Sequence, residues 1–166
     1  MKTFGLLLVL AALALWYFDA SRKLSQDTVR AAYDEHIEAF HKGQPELLCL
    51  RMTPDYRIVD VTVGQDGTVR SEMGRDEACR KTHEAIAIFG RLGALSGGSL
   101  VPEIDVEIQS IELSPDRKSA TVQSVSTMRM AGRPVMRTRA IDHLIRRTGR
   151  VLSRGGESRT WAYLPQ

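Results

Sequence analysis

The chain has 166 residues, of which 43% are hydrophobic and 26% charged, and its formal net charge is +3. These proportions exclude a disordered chain, and the length suits one domain with a single core. No cysteine occurs before Cys49, which excludes a lipid anchor attached to a thiol just after the apolar start.

The chain begins with an apolar segment, residues 4–18, that contains no charged side chain. Lys2 precedes this segment, and Arg22 and Lys23 follow it. As a helix it would be ~22 Å long, which is shorter than the ~30 Å hydrocarbon core of a bilayer. That length is typical of a signal-peptide core or of a short membrane anchor.

Two features of the segment favour different fates. The small residues at 12 and 14 resemble a signal-peptidase site, whereas the aromatic residues 16–18 resemble the interfacial belt of a retained anchor. The sequence therefore predicts that residues 1–23 are a signal peptide or an N-terminal membrane anchor. Residues 24–166 are then a periplasmic or otherwise extracytoplasmic domain, either secreted or anchored by the N-terminal segment.

Three helices are predicted to follow. Apolar side chains recur at three- and four-residue spacing between N-cap candidates at residues 25–28 and a stop at Gly43. Pro45 suits the first position of a short second helix over 45–52. A third helix opens at Gly74, and the glycine-rich residues 90–102 are predicted to form a flexible loop.

Strands are predicted from residue 56 onward. The first covers 56–63 and ends in a turn over 64–67, where two glycines occur. After the third helix the sequence alternates with a period of two in four segments joined by short turns. These segments predict an antiparallel meander, and the whole predicts an α+β domain with helices on one face of a curved sheet. The four segments are 104–109, 120–130, 135–147 and 151–163.

The only two cysteines are Cys49 and Cys79. In an oxidising compartment such a pair favours a disulfide, worth ~3–4 kcal/mol for a loop of this length. The alternative is two buried thiols. Because neither a CxxC motif nor a paired-histidine motif is present, no metal site and no cofactor are predicted.

Nine arginines lie between Arg129 and Arg159. The favoured interpretation is a solvated strand face on which arginines pair with the alternating acids of 103–107, so no nucleic-acid partner is predicted. A weaker alternative is a surface for anionic lipids or acidic proteins.

Several short motifs link these elements. Residues 54–56 (PDY) lead to Asp60, and MGR at 73–75 opens the third helix. MAGRP occupies 130–134, and AIDH at 140–143 precedes TGRV at 148–151. Over residues 28–163 this order resembles the nuclear transport factor 2-like (NTF2-like, cystatin-like cone) superfamily, and within it bacterial ketosteroid isomerases and SnoaL-like proteins. The resemblance implies a cone-shaped fold in which a curved sheet wraps about three helices.

The resemblance also implies site residues. Asp60 stands where the isomerases have the general base that moves a proton next to a ketone. Asp142 stands where they keep a protonated carboxylic acid that donates a hydrogen bond to the developing enolate. Two carboxyls in one apolar pocket can differ in this way, because removal from water raises the pKa of one of them while the other stays ionised. His36 replaces the oxyanion-donating tyrosine, and a neutral imidazole can also donate. The predicted ligand contacts are Tyr33, Phe40, Tyr56 and Met128.

Each candidate has a structural alternative. Asp60 could be a polar residue at the cone mouth, His36 a buried histidine, and Asp142 an acid paired with Arg137 or Arg139. Paired in that way, Asp142 would be ionised and could not donate. The side chain of His143 should point to the other face of the strand that carries Asp142, because neighbouring strand residues alternate.

These considerations favour a non-catalytic module that binds a small apolar ligand or a partner protein. The alternative is an isomerase or lyase that uses Asp60 as base, with Asp142 and His36 as oxyanion donors. A homodimer formed through the sheet and membrane attachment through residues 4–18 are further expectations.

Overall fold

The computed structural model describes residues 2–65 and 67–163. The helices in these residues are α1 (Lys2–Ala20), α2 (Gln26–His41), α3 (Pro45–Leu50) and α4 (Arg75–Leu95). The strands are β1 (Met52–Gly64), β2 (Gly67–Gly74), β3 (Glu103–Leu113), β4 (Ser119–Met130), β5 (Arg133–Arg147) and β6 (Arg150–Ala162).

The strands form one six-stranded sheet in the order β2-β1-β6-β5-β4-β3. The meander β3 to β6 is antiparallel as predicted, and so is the β1–β2 hairpin. The expectation of a wholly antiparallel sheet is wrong at one pair, because β1 and β6 run parallel. This pairing joins the two halves of the chain, so that β1 from the helical half lies beside the last strand.

Four irregularities in register bend the sheet. They lie between Met52 and Arg57, Ile108 and Ser110, Met128 and Arg129, and Asp142 and Leu144. An extra residue in one strand increases its bend and twist. The α+β cone predicted from the sequence is therefore confirmed: a curved sheet wraps around helices, with a hydrophobic segment before it.

Helix α2 begins and ends where the sequence predicts. Ser25 caps it through a reciprocal pair of hydrogen bonds with Thr28, which satisfies two free donors of the first turn. At the other end Gly43 has a φ of +63°, a conformation that favours glycine and ends the helix. Pro45 then starts α3 directly.

Helix α4 is longer than predicted. It continues through Gly90 and Gly93 to Leu95, so the flexible loop expected over 90–102 is wrong for its first half. Gly93 is buried, and a Cβ there would lie 2.9 Å from a side-chain carbon of Val101. The absence of a side chain at Gly93 therefore allows Val101, in the chain that follows α4, to pack closely against the helix.

The apolar core occupies one end of the cone. Its buried members come from the chain before α2, from α2 itself and from the two central strands of the meander: Leu24, Val29, Ala120, Val122 and Leu144. Burial of such side chains contributes about 1.5–3 kcal/mol each for the larger ones. The cavity described below adjoins this core, because Leu144 belongs to the core and also lines the cavity.

The predicted disulfide is present. Cys49 of α3 and Cys79 of α4 are bonded, with their Cα atoms 5.3 Å apart. His83, one turn after Cys79, places a ring nitrogen within 4.8 Å of both sulfurs. With both sulfurs bonded to each other, only the imidazole of this trio is available to a metal ion.

Helix α1 leaves the side chains of residues 9–18 exposed. Leu15, Trp16 and Tyr17 each expose 70–72% of their surface. In the part of the chain that is described, no helix has both the length and the apolar character needed to cross a membrane.

Candidate functional site

A cavity of about 350 Å³ lies between α2 and the concave face of the sheet. It exists because the strands present small side chains opposite the helix, where larger ones would fill the space. Its walls are mostly apolar and aromatic. The small residues at its surface are Ser124, Ser126, Ala140, Gly155 and Gly156.

Asp142 of β5 is one of two acids that line this cavity, the other being Glu157. The hydroxyl of Ser153 donates a hydrogen bond of 2.6 Å to its Oδ1. Removal from water raises the pKa of Asp142, although the hydrogen bond from Ser153 works in the opposite direction. A carboxyl with a raised pKa holds its proton to higher pH, and a protonated carboxyl can donate to a ligand oxygen.

Two tyrosines face the same acid. Burial, followed by the charge of Asp142, raises the pKa of Tyr33 above its ordinary value. The same two causes raise the pKa of Tyr56 to about 12. Both hydroxyls therefore stay protonated and remain potential donors at neutral pH.

His36 lines the cavity but keeps more than a third of its surface exposed, so it lies at the opening. Loss of water around the ring, followed by the positive charge of Arg51, lowers its pKa. Arg51 is held by the carbonyl of Ala32 at 2.9 Å and by the carboxylate of Glu35. The neutral imidazole can donate or accept one hydrogen bond at this opening.

Asp60 lies outside the cavity lining. It follows Tyr56 and Ile58 on the same face of β1, but two residues beyond the last of them that reaches the cavity. Three hydroxyls donate to its carboxylate, from Ser158 at 2.5 Å, Thr62 at 2.7 Å and Thr160 at 3.2 Å. These hydrogen bonds occupy three of the four lone-pair positions of the carboxylate and hold it beside β6, outside the cavity lining.

Of the other predicted residues, some line the cavity and some do not. Tyr33, Phe40 and Tyr56 line the cavity, whereas Met128 does not. The side chain of His143 is exposed and its Nδ1 lies 3.4 Å from the hydroxyl of Thr121, on the outer side as expected. Phe40 also contacts Phe89 of α4 edge to face, with ring centres 6.0 Å apart.

The sequence did not identify Ser153 as a site residue. Ser153 reaches Asp142 because the chain bulges at Gly155, whose φ is +88° and whose amide donates to the Ser153 hydroxyl at 2.9 Å. The Gly155-Gly156 pair was the available signal, since adjacent glycines inside a strand indicate a bulge or a close backbone approach.

The arginines of the sheet are only partly paired. Arg129 contacts Asp105 and Arg154 contacts Asp55, as the solvated-face interpretation expects. Arg139 and Arg159 instead lie over the ring of Trp161, at 5.8 and 5.5 Å from its centre. Among the described residues no arginine forms an ion pair with Asp142, whose Oδ1 accepts a hydrogen bond from Ser153 instead. A homodimer through this face stays a prediction.

A second depression, about 650 Å³, lies on the other side of α2. It is an open groove in which Lys42 pairs with Glu38 at 2.6 Å and Arg51 pairs with Glu35. It contains no acid or tyrosine with a raised pKa among the described residues, so the smaller cavity is the better candidate site.

Comparison with solved structures places this arrangement in the NTF2-like fold. Aln2 from a Streptomyces species is similar with a TM-score of 0.58 at 12% identity, covering 82% of this chain and 92% of that one. A putative scytalone dehydratase from Novosphingobium aromaticivorans gives 0.55 at 19% identity over 84% and 88%. An NTF2-like protein of unknown function from Shewanella oneidensis gives 0.55 at 11% identity over 82% and 99%. No protein-family model and no curated protein matches the sequence.

Proposed function

We propose that this NTF2-like domain binds a small, mainly apolar ligand in its cavity and does not alter it chemically. The observation that supports this function is the separation of the two aspartates. Asp142 lies in the cavity, whereas Asp60, the base that an isomerase of this pattern would need, lies outside it and is held by three hydroxyls.

The polar groups of the cavity indicate the class of ligand. Tyr33 and Tyr56 both lie close to Asp142, in walls that are mainly apolar but also include Arg51 and Glu157. Buried donors are left unsatisfied unless the ligand offers them an acceptor. The proposed ligand is therefore an apolar skeleton with a single carbonyl or hydroxyl oxygen, placed next to Asp142.

The proposed location is outside the cytoplasm, with the chain attached to a membrane by residues 4–18 until or unless a signal peptidase removes them. Two observations support it. Cys49 and Cys79 form a disulfide, which persists in oxidising compartments. The apolar side chains of residues 9–18 are exposed, and water is an unfavourable environment for them.

Filling the cavity tests the function. Ala140→Phe places a ring in the cavity next to Asp142, and it adds apolar contacts without exposing a polar group. We expect wild-type protein to bind the neutral fluorophore N-phenyl-1-naphthylamine with a blue-shifted, enhanced emission. The variant should lose at least about tenfold in affinity, since ~1.4 kcal/mol corresponds to each factor of ten.

The matched control is Arg137→Phe, which adds the same ring on the exposed outer side of the same strand. It should bind the fluorophore as the wild type does. Thermal unfolding of all three proteins verifies that Ala140→Phe is folded, and Ser126→Leu fills the same cavity from β4 if it is not. Equal binding by wild type and both cavity variants would contradict the proposal.

A second candidate function is isomerisation of an unsaturated ketone, which the raised pKa of Asp142 favours. We expect no turnover of a β,γ-unsaturated ketone above the uncatalysed rate, measured by the absorbance of the conjugated product. Asp60→Asn should bind the fluorophore normally, because Asp60 is outside the cavity. Wild-type turnover that Asp60→Asn abolishes would instead show that the protein is an enzyme.

A further inference from the structure

The chain enters the domain at one end of the cone, and two turns of the sheet meet it there. Leu24 and Arg117, of the β3–β4 turn, exchange two hydrogen bonds of 2.6 and 3.0 Å. In the β5–β6 turn the amide of Gly149 donates to the carbonyl of Ser21 at 3.0 Å. Arg146 donates to the carbonyl of Lys23 at 2.7 Å. Both turns are therefore fixed against the segment that follows α1.

We call this region the junction end and define it as residues 19–24, 114–118 and 146–150. It contains two acidic residues, Asp19 and Asp116, and seven basic ones. Its net charge of +5 exceeds the +3 of the whole chain, so the rest of the molecule is slightly acidic. The basic residues are Arg22, Lys23, Arg117, Lys118, Arg146, Arg147 and Arg150.

The positive charge of the junction end is largely free. Among the described residues, Lys23 alone of the seven has a carboxylate within 4 Å, that of Asp19 at 2.5 Å. The guanidinium of Arg22 lies 3.9 Å from the ring centre of Phe18, the last aromatic residue of α1. Lys118, Arg147 and Arg150 are exposed. A concentration of unpaired cations repels itself unless an anionic partner is present.

The neighbouring helix indicates what that partner is. The apolar side chains of residues 9–18 are exposed immediately before the junction end, with Trp16, Tyr17 and Phe18 nearest to it. Aromatic rings next to basic residues match the headgroup level of a bilayer, where rings lie at the interface and cations meet lipid phosphates.

We propose that the junction end binds the anionic headgroups of a phospholipid membrane when α1 is in the bilayer. This proposal rests on the membrane attachment proposed above. It assigns a function to the β3–β4 and β5–β6 turns: they add positive charge to the short basic segment after α1 and hold the domain against the surface. No residue of the junction end is among the described residues that line the ligand cavity.

The test uses the full chain and co-flotation with two kinds of vesicle, phosphatidylcholine alone and phosphatidylcholine with about a quarter phosphatidylglycerol. The junction variant is Lys118→Glu/Arg147→Glu/Arg150→Glu. The control, Arg70→Glu/Arg133→Glu/Arg137→Glu, makes the same change in net charge at exposed arginines outside the junction end. Circular dichroism verifies that both are folded.

Wild-type protein should bind anionic vesicles more tightly than neutral ones, and added salt should weaken that preference. In the junction variant, the ratio of the affinity for anionic vesicles to that for neutral vesicles should fall at least about tenfold, because each basic residue near the surface contributes about fivefold to binding. The control should keep the wild-type ratio. A junction variant that keeps the preference, or a control that loses as much, would overturn the proposal. If wild-type protein binds neither kind of vesicle, the proposed membrane attachment is wrong. If it binds both kinds equally, only the proposed role of the junction end is wrong.

Discussion

Gly155→Ala is expected to lower the free energy of unfolding by at least about 3 kcal/mol, or to prevent folding altogether. Gly155 has a φ of +88°, which L side chains rarely adopt. An added Cβ would lie 1.9 Å from the carbonyl oxygen of Arg57 and 2.4 Å from its carbon. Because both are backbone atoms of the paired strand β1, only separation of the strands could make room. Urea unfolding followed by circular dichroism measures the loss.

Gly132→Ala is the matched control for this experiment. Gly132 also has a positive φ, +74°, but a Cβ there would meet nothing within 4 Å. It should cost only about 1–2 kcal/mol, the usual penalty for alanine in the left-handed region. If both substitutions lower the free energy of unfolding equally, β6 does not approach β1 closely at Gly155. The bulge that brings Ser153 to Asp142 would then also be contradicted.

The second large effect concerns the disulfide. Cys49→Ala/Cys79→Ala should lower the free energy of unfolding by ~3–4 kcal/mol, because the bond closes a loop with a sequence separation of 30. It also joins α3 to α4, the two helices that flank the start and end of the β1–β2 hairpin. Urea unfolding of the oxidised wild type and the double variant measures the difference.

Wild-type protein in excess reductant is the control, and it should unfold at the urea concentration of the double variant. A loss below about 1 kcal/mol would show that the bond contributes little beyond what the packing of α3 on α4 supplies. Reduction that changes nothing, together with an unstable double variant, would mean that the alanines act by leaving a void at buried Cys49 rather than by removing the bond.

The sequence predicted helix ends and strands well where the residues that determine them lie within or beside the element itself. The N-cap candidates at residues 25–28, the stop at Gly43 and the proline at position 45 mark helix ends through their own backbone chemistry. The structure agrees, with a cap at Ser25, a positive φ at Gly43 and a helix that begins at Pro45. Period-two alternation likewise identified the strands of the meander. The disulfide followed from the cysteine count and the expected compartment.

Features that depend on distant parts of the chain were missed. The parallel pairing of β1 with β6 joins segments about a hundred residues apart, which no local pattern reports. In the extension of α4, Gly93 lies where Val101 approaches the helix closely, a contact that the local sequence does not report. In both cases tertiary contacts decided between conformations that the local sequence left open.

The candidate site shows the same limit. The resemblance alone placed Asp60 at the site, whereas a period of two put Met128 on the same strand face as Ser124 and Ser126. Neither signal indicates how far along a strand the cavity extends, so Asp60 and Met128 were grouped with residues that line it. Ser153 became a partner of Asp142 through a bulge whose position only the folded chain reveals.

Native mass spectrometry of the full chain, purified from its own host, tests most directly whether the hollow beside Asp142 is a ligand site. Wild-type protein should retain a noncovalent adduct of small-molecule mass, which is released on gentle activation and absent from Ala140→Phe. An adduct of the same mass on both proteins, or a wild type whose mass is that of the bare chain, would contradict the account.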